Sequence, residues 1–270
     1  MTDPGATAAV PVVTGTRLAV VIGSSLTANP LPVTGTIAVT VTGRQGHART
    51  VQLDEWGDDV VVLMRHTAAG DVPAHLVDHH AHVRALCAAG CDRVLAIGSG
   101  GGLRPELGPG TVLVPDDFLA LTTYPTFHTT TAGYRMAGFD VTWRTRAVDA
   151  WRAVTSGTVV DGGTYAMVQG PRFETRAEIG LLAQHADMVG MTIPAECVLA
   201  GEAGLRYAAV CKIDNLANGI AGHALQVQEY LDNAALAATS LVECLPRVVT
   251  RCDWSTDQSA TGRPVNTNRV

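Results

Sequence analysis

Short apolar runs of strand length recur along the chain, at residues 18–22, 37–41, 60–64, 94–97, 112–114, 165–168, 188–191 and 207–213. Several are continuous rather than alternating, the pattern of strands buried on both faces. Residues 33–53 carry turn residues at 43–46 and predict an antiparallel excursion. Helical spacing fills several of the gaps. Over residues 74–90, Leu76, Val83, Leu86 and Cys87 share one face, Pro73 suits a first-turn position and Gly90 suits a stop. Residues 175–184, 194–203 and 225–245 read as helices in the same way. The alternation predicts an α/β protein with a mixed central β-sheet flanked by helices. Residues 1–16 and 251–270 lack periodicity and are rich in small polar residues, which predicts flexible tails around one domain at 17–250.

Composition narrows the functional classes. With 270 residues and 47% hydrophobic content, the chain can bury a large core without help from a metal or disulfide framework. A net charge of −6 argues against a general nucleic-acid binder. Lys212 is the sole lysine, so the Gly-Lys-Ser/Thr of a phosphate-loop NTPase is absent and Schiff-base chemistry has one candidate. No run approaches the roughly 20 apolar residues that span a bilayer, and residues 1–13 do not read as a secretory signal. Six cysteines without a Cys-x-x-Cys pair predict reduced, buried thiols and a cytoplasmic protein.

Polar residues gather at four strand ends. The first strand runs into Gly23-Ser24-Ser25-Leu26, the run at 60–64 ends in Arg65-His66, the run at 94–97 in Gly98-Ser99-Gly100-Gly101-Gly102, and the run at 188–191 in Met191-Thr192. Ligands of open α/β sheets bind beyond the carboxyl ends of strands, so these groups are placed to converge. Hydroxyls, a guanidinium and glycine-freed backbone amides suit a phosphate dianion, although a Gly-rich turn after a strand is also ordinary turn chemistry. In Gly170-Pro171-Arg172-Phe173-Glu174-Thr175, Phe173 offers a stacking face and Glu174 an acceptor. The same two residues also read as a core aromatic and a first-turn helix charge. His75, His79 and His82 stand at metal-ligand spacing, but without a partner carboxylate nearby in sequence they read better as a solvated helix face, and no metal is expected.

Three stretches carry a family resemblance. They are Gly101-Gly102-Leu103-Arg104-Pro105-Glu106-Leu107-Gly108-Pro109-Gly110, the GPRFET segment at 170–175, and Val189-Gly190-Met191-Thr192-Ile193-Pro194-Ala195-Glu196. With these in order over residues 17–245, the chain resembles the purine nucleoside phosphorylases, in particular the trimeric branch that includes methylthioadenosine and methylthioinosine phosphorylases. The resemblance implies a mixed, distorted sheet and a homotrimer. It implies phosphorolysis of a purine nucleoside to free base and pentose 1-phosphate, with inorganic phosphate as co-substrate and no cofactor. Small-molecule nucleoside and phosphate are the implied partners, with no nucleic acid and no membrane. It places phosphate at Ser24, Arg65, His66, Ser99 and Thr192, and the nucleoside at Phe173, Glu174, Met191, Asn215 and Val227. Asn215, Glu174 and His66 are the implied catalytic residues.

The chemistry suits those roles. Cleaving the glycosidic bond builds positive charge on the sugar and negative charge on the purine; bound phosphate answers the first and a donor from Asn215 the second. Glu174 would accept from the ring N–H of a 6-oxopurine, which adenine lacks. Val227 is apolar where ordinary nucleoside phosphorylases resemble one another in a histidine facing the 5′-hydroxyl, and this points to an apolar 5′ group such as methylthio. A methylthioadenosine phosphorylase, a nucleoside hydrolase and a non-catalytic nucleoside binder remain the alternatives, and Asp214 competes with Asn215 for the base. The connection from 121 to 151 is shorter than the family's and does not identify the histidine that a neighbouring subunit supplies there.

Overall fold

A computed structural model describes residues 9–252 apart from 25, 27 and 122–124, and without the side chains of residues 227, 229–231 and 237. Most of both expected tails, at 1–8 and 253–270, therefore lies outside the described residues.

Among the described residues, eleven strands join in one mixed sheet in the order β2-β3-β4-β1-β5-β10-β9-β7, with β11 pairing β5 and β6, and β8 pairing β6. The central strands are β1 (Arg17–Ile22), β4 (Val60–Met64), β5 (Cys91–Gly102) and β11 (Arg206–Leu216), all mutually parallel where they pair. Their apolar runs are continuous because helices cover both faces. Ala19, Val21, Val94 and Ala96 face helices α1 (His79–Ala88) and α4 (Ile193–Glu202). Leu18, Val20, Ile22, Leu95 and Ile97 face α2 (Val141–Arg152) and α5 (Val227–Arg251). The antiparallel excursion is the hairpin of β2 (Gly35–Thr42) and β3 (Ala48–Trp56), whose register runs from Gly35 opposite Glu55 to Thr42 opposite Ala48. Strand β6 is Val112–Val114, β9 is Thr164–Met167 and β10 is Met188–Gly190. All six cysteines are buried and free.

Three local departures from the sequence reading have physical causes. The helix expected from residue 74 begins at His79, because Asp78 caps it by accepting from the Ala81 amide at 3.0 Å. Leu76 then belongs to a separate 3₁₀ turn (Ala74–Leu76), out of phase with the helix, and is 64% exposed, whereas Val83, Leu86 and Cys87 are buried as expected. Helix α2 emerges from the connection after residue 121, its polar face masking the spacing of Trp143, Ala147 and Trp151, which are buried. Strands β7 (Asp117–Ala120) and β8 (Val159–Asp161) are too short to stand out by pattern and exist through pairing with β9 and β6.

Strand β5 changes neighbours along one edge. It pairs with β1 as far as Ile97 and with β10 from Gly101, antiparallel. Between them, residues 98–100 have no strand partner on that edge among the described residues. Such a switch opens a crevice at the carboxyl ends of the strands.

Candidate active site

The crevice holds a cavity of about 120 Å³. Ser24, Arg65, His66, Ser99 and Thr192 all line it, as do Phe173, Glu174, Met191 and Asn215. Gly100 must be glycine there: a Cβ would run into the Val189 carbonyl. The Val227 backbone opens α5, but its side chain, like Ser25, lies outside the described residues.

Arg65 follows β4 and is 1% exposed. Its Nε donates to Glu196 Oε1 at 3.1 Å, its Nη2 to Glu196 Oε2 at 2.9 Å and its Nη1 to the Ile97 carbonyl at 3.1 Å. Tyr207 donates its hydroxyl to the same Glu196 oxygen at 2.6 Å. Gly23 leaves room for the guanidinium, since a Cβ there would lie 2.5 Å from Nη1. Burial alone would penalise both charges. The pairing overcomes it, holding the Arg65 guanidinium above its ordinary value and Glu196 down at about 2. The remaining N–H donors of a fixed fork are free to meet an anion in one orientation.

His66 Nδ1 lies 2.7 Å from the Val72 carbonyl, which only accepts, so Nδ1 carries the proton and Nε2 is left as an acceptor in the neutral ring. Burial, reinforced by Arg65, lowers its pKa. Thr192 is the N-cap residue of α4 and is buried, and the hydroxyl of Tyr165 accepts from the Thr192 and Ile193 amides. Ser24 is exposed at the rim.

Phe173 is 42% exposed rather than a core residue, and it lines the cavity. Glu174 is buried, and its Oε1 has no hydrogen-bond partner. Burial raises its pKa. Asn218 donates to the Glu174 carbonyl at 2.9 Å and accepts from the Leu225 amide at 3.3 Å, tying together the loops on either side of the cavity. Asn215 is 4% exposed and spends one N–H on the Leu216 carbonyl at 2.8 Å, keeping the other. Arg172 turns outward to Glu178 at 2.7 Å, and Glu178 completes a capping box with Thr175 at the start of α3 (Arg176–Leu182).

The histidine face of α1 is not solvated as its spacing suggested. Helix α1 packs against α4, so His79 is buried with its Nδ1 3.9 Å from Glu196 Oε1. Burial pushes His79 down to about 3 and His82 down to about 4, and the Nδ1 atoms of both are buried without a partner. Ligand atoms of His79, His82 and Glu196 lie within 4.8 Å of one another, the donor set among the described residues that would suit a cation. The Glu196 carboxylate, however, is already held by Arg65 and Tyr207, and the guanidinium repels a second positive charge.

Sequence reasoning assigned no role to Glu196, Tyr207 or Asn218. Glu196 did leave a signal, as a lone carboxylate inside the apolar run at 193–200. Such a residue needs a buried cation, and Arg65 was the strand-end candidate.

A cavity that presents an aimed guanidinium, a neutral imidazole, an aromatic face and a buried acid at a sheet switch point is that of a small-molecule enzyme of the α/β class. Residues 17–250 match the Phosphorylase superfamily, and the chain belongs to it. A probable 6-oxopurine nucleoside phosphorylase from Archaeoglobus fulgidus is 36% identical over 189 residues, covering 70% of this chain and 76% of that protein. A probable S-methyl-5′-thioinosine phosphorylase from Methanocaldococcus jannaschii is 33% identical over 195 residues, covering 70% and 75%. Among solved structures, methylthioadenosine phosphorylase from Schistosoma mansoni in complex with adenine superposes with a TM-score of 0.75 at 25% identity, covering 87% of this chain and 91% of that one.

Proposed function

We propose that this chain catalyses the phosphorolysis of a purine nucleoside, with a 6-oxopurine base and an apolar 5′ substituent such as methylthio, to free base and pentose 1-phosphate. The observation that carries the reading is the meeting of two kinds of group in one cavity: Ser24, Arg65, His66, Ser99 and Thr192 for a phosphate dianion, and Phe173, Glu174 and Asn215 for a flat heterocycle. Phosphate would lie on the free donors of Arg65, with His66 Nε2 accepting from the protonated oxygen of hydrogen phosphate. From there one oxygen attacks the anomeric carbon as the glycosidic bond lengthens, while Met191 packs under the sugar. Phe173 stacks on the base, Glu174 accepts from its ring N–H, and the spare N–H of Asn215 meets the charge that collects on the leaving purine.

Adenine would bring a lone pair to the buried, unpartnered Oε1 of Glu174, and an unmet buried acceptor costs about 1–3 kcal/mol. Efficiency on 5′-methylthioinosine should therefore exceed that on 5′-methylthioadenosine by at least about tenfold at saturating phosphate. Equal or adenine-favouring values would overturn the base assignment. The relatives named for 6-oxopurine and methylthioinosine substrates support this preference, and the methylthioadenosine phosphorylases among the solved structures are the standing alternative. We further propose a homotrimer acting in the cytoplasm. Among the described residues no helix is long and apolar enough to cross a membrane. Exposed Leu121, Tyr134, Met136 and Leu181 supply apolar surface for subunit contacts. A monomeric mass by light scattering at micromolar concentration would rule the trimer out.

A further inference from the structure

The loop 66–72 after β4 closes on its own first residue. Two turns follow one another, with the Thr67 amide donating to the Met64 carbonyl and the Gly70 amide to the Thr67 carbonyl, both at 3.1 Å. They bring Val72 back to His66 twice. Its amide donates to the His66 carbonyl at 3.4 Å, and its own carbonyl accepts from His66 Nδ1 at 2.7 Å. Among the described residues that carbonyl is the sole hydrogen-bond partner of the His66 ring. The shape of the loop therefore sets which ring nitrogen carries the proton.

Two loop residues take left-handed backbone, Thr67 at φ 65° and Gly70 at φ 66°. Glycine adopts that region freely, whereas a β-branched residue is driven from it by its own Cβ. Thr67 is the one non-glycine residue with positive φ among the described residues. Its side chain is exposed, so core packing does not explain it. Nor is the loop propped from below, since Met64, Thr67, Ala68 and Ala69 line a cavity of about 380 Å³. What threonine brings and glycine cannot is a hydroxyl, and that hydroxyl donates to Oδ1 of Asp71, the neighbour of Val72. Strain of this kind persists where surrounding contacts over-determine it, and here it stands one residue from a histidine that lines the active-site cavity.

Resting on the phosphorolysis reading above, we propose that Thr67 and Asp71 are positioning residues for His66. Their contact closes the loop so that the Val72 carbonyl keeps the proton on Nδ1 and Nε2 meets hydrogen phosphate as an acceptor. Neither residue lines the active-site cavity, so both act through His66. Without the contact Thr67 relaxes out of the left-handed region and the Val72 carbonyl leaves the ring. Nε2 can then take up the proton, and it meets the protonated phosphate oxygen donor to donor.

The test is nitrogen NMR on the full chain with isotopically labelled histidine, at about pH 7.5, with the His66 signals assigned by their loss in His66→Gln. Wild type should show Nδ1 protonated and Nε2 bare, whereas Asp71→Ala and Thr67→Gly should show the proton shared between the two nitrogens. Both variants should raise the KM for phosphate about fivefold, the worth of one net hydrogen bond. Their Tm should stay within about 2 °C of wild type, because the contact they remove is exposed. Thr67→Ser keeps the hydroxyl and should restore the wild-type tautomer, with a KM within about twofold of wild type. An unchanged KM in both variants, or a wild-type His66 spectrum in Asp71→Ala, would overturn the proposal. A wild-type enzyme with no phosphate-dependent turnover would overturn the phosphorolysis reading instead, while the spectra still decide whether Thr67 and Asp71 set the His66 tautomer.

Discussion

Replacing Glu196 with glutamine should damage both stability and phosphate binding. The carboxylate and guanidinium are 2% and 1% exposed, bound through two N–H···O contacts, with Tyr207 as a third donor on the acid. An amide of the same shape removes the countercharge and turns an N–H towards a donor. Removing one partner of a buried ion pair costs about 3–5 kcal/mol, because the surviving charge stays desolvated. For a chain of this size that predicts a fall in Tm of about 10 °C. The freed guanidinium no longer presents its remaining donors in one orientation, so the KM for phosphate should rise at least about tenfold, or ~1.4 kcal/mol. Calorimetry and phosphate saturation on one preparation read both effects. Replacing Arg65 and Glu196 together with methionine should restore much of the stability and none of the phosphate affinity. A Glu196→Gln protein with a Tm within about 2 °C of wild type and an unchanged KM would refute the assigned role of the pair.

Acid should weaken the fold before it reaches the ion pair. His79 and His82 titrate at about 3 and about 4 in the folded chain, against 6.5 in the open, so their contribution is complete above pH 6.5 and is lost as pH falls, because the unfolded chain takes up protons first. The loss is about 2 kcal/mol for each at pH 5, readable by urea unfolding at pH 7.5 and 5. The same stability at both values would contradict the burial. The Glu196 contribution leaves lower still, as pH falls from 4.5 towards about 2. Glu174→Gln should shrink the preference for 6-oxopurines, since an amide can rotate to offer a donor, and competition between methylthioinosine and methylthioadenosine would show it. An undiminished preference would move base recognition elsewhere.

Much of the fold was legible because the buried strands read as continuous apolar runs, and the strands seeded at 18–22, 60–64, 94–97 and 207–213 form the centre of the sheet. The four polar strand ends were legible for the same reason, since parallel strands bring their carboxyl ends to one edge. What escaped was set by partners distant in sequence. Glu196 meets Arg65 across 131 positions, and nothing local to either names the other. The histidines of α1 looked like a wet face because helical spacing shows which residues share a side, not what lies against it. Asp214 and Asn215 could not be separated on the page because a bulge aims both side chains into one cavity, and bulges leave no mark in an apolar run.

In the proposed reaction phosphate, and not water, cleaves the nucleoside. Purified enzyme given 5′-methylthioinosine, with and without inorganic phosphate, tests it directly when free hypoxanthine and the sugar product are both quantified. Base release is expected only with phosphate, in equal amount to a pentose 1-phosphate, and the Arg65→Ala variant should show a raised KM for phosphate. Base released at the same rate in phosphate-free buffer, with a free sugar as the second product, would refute phosphorolysis.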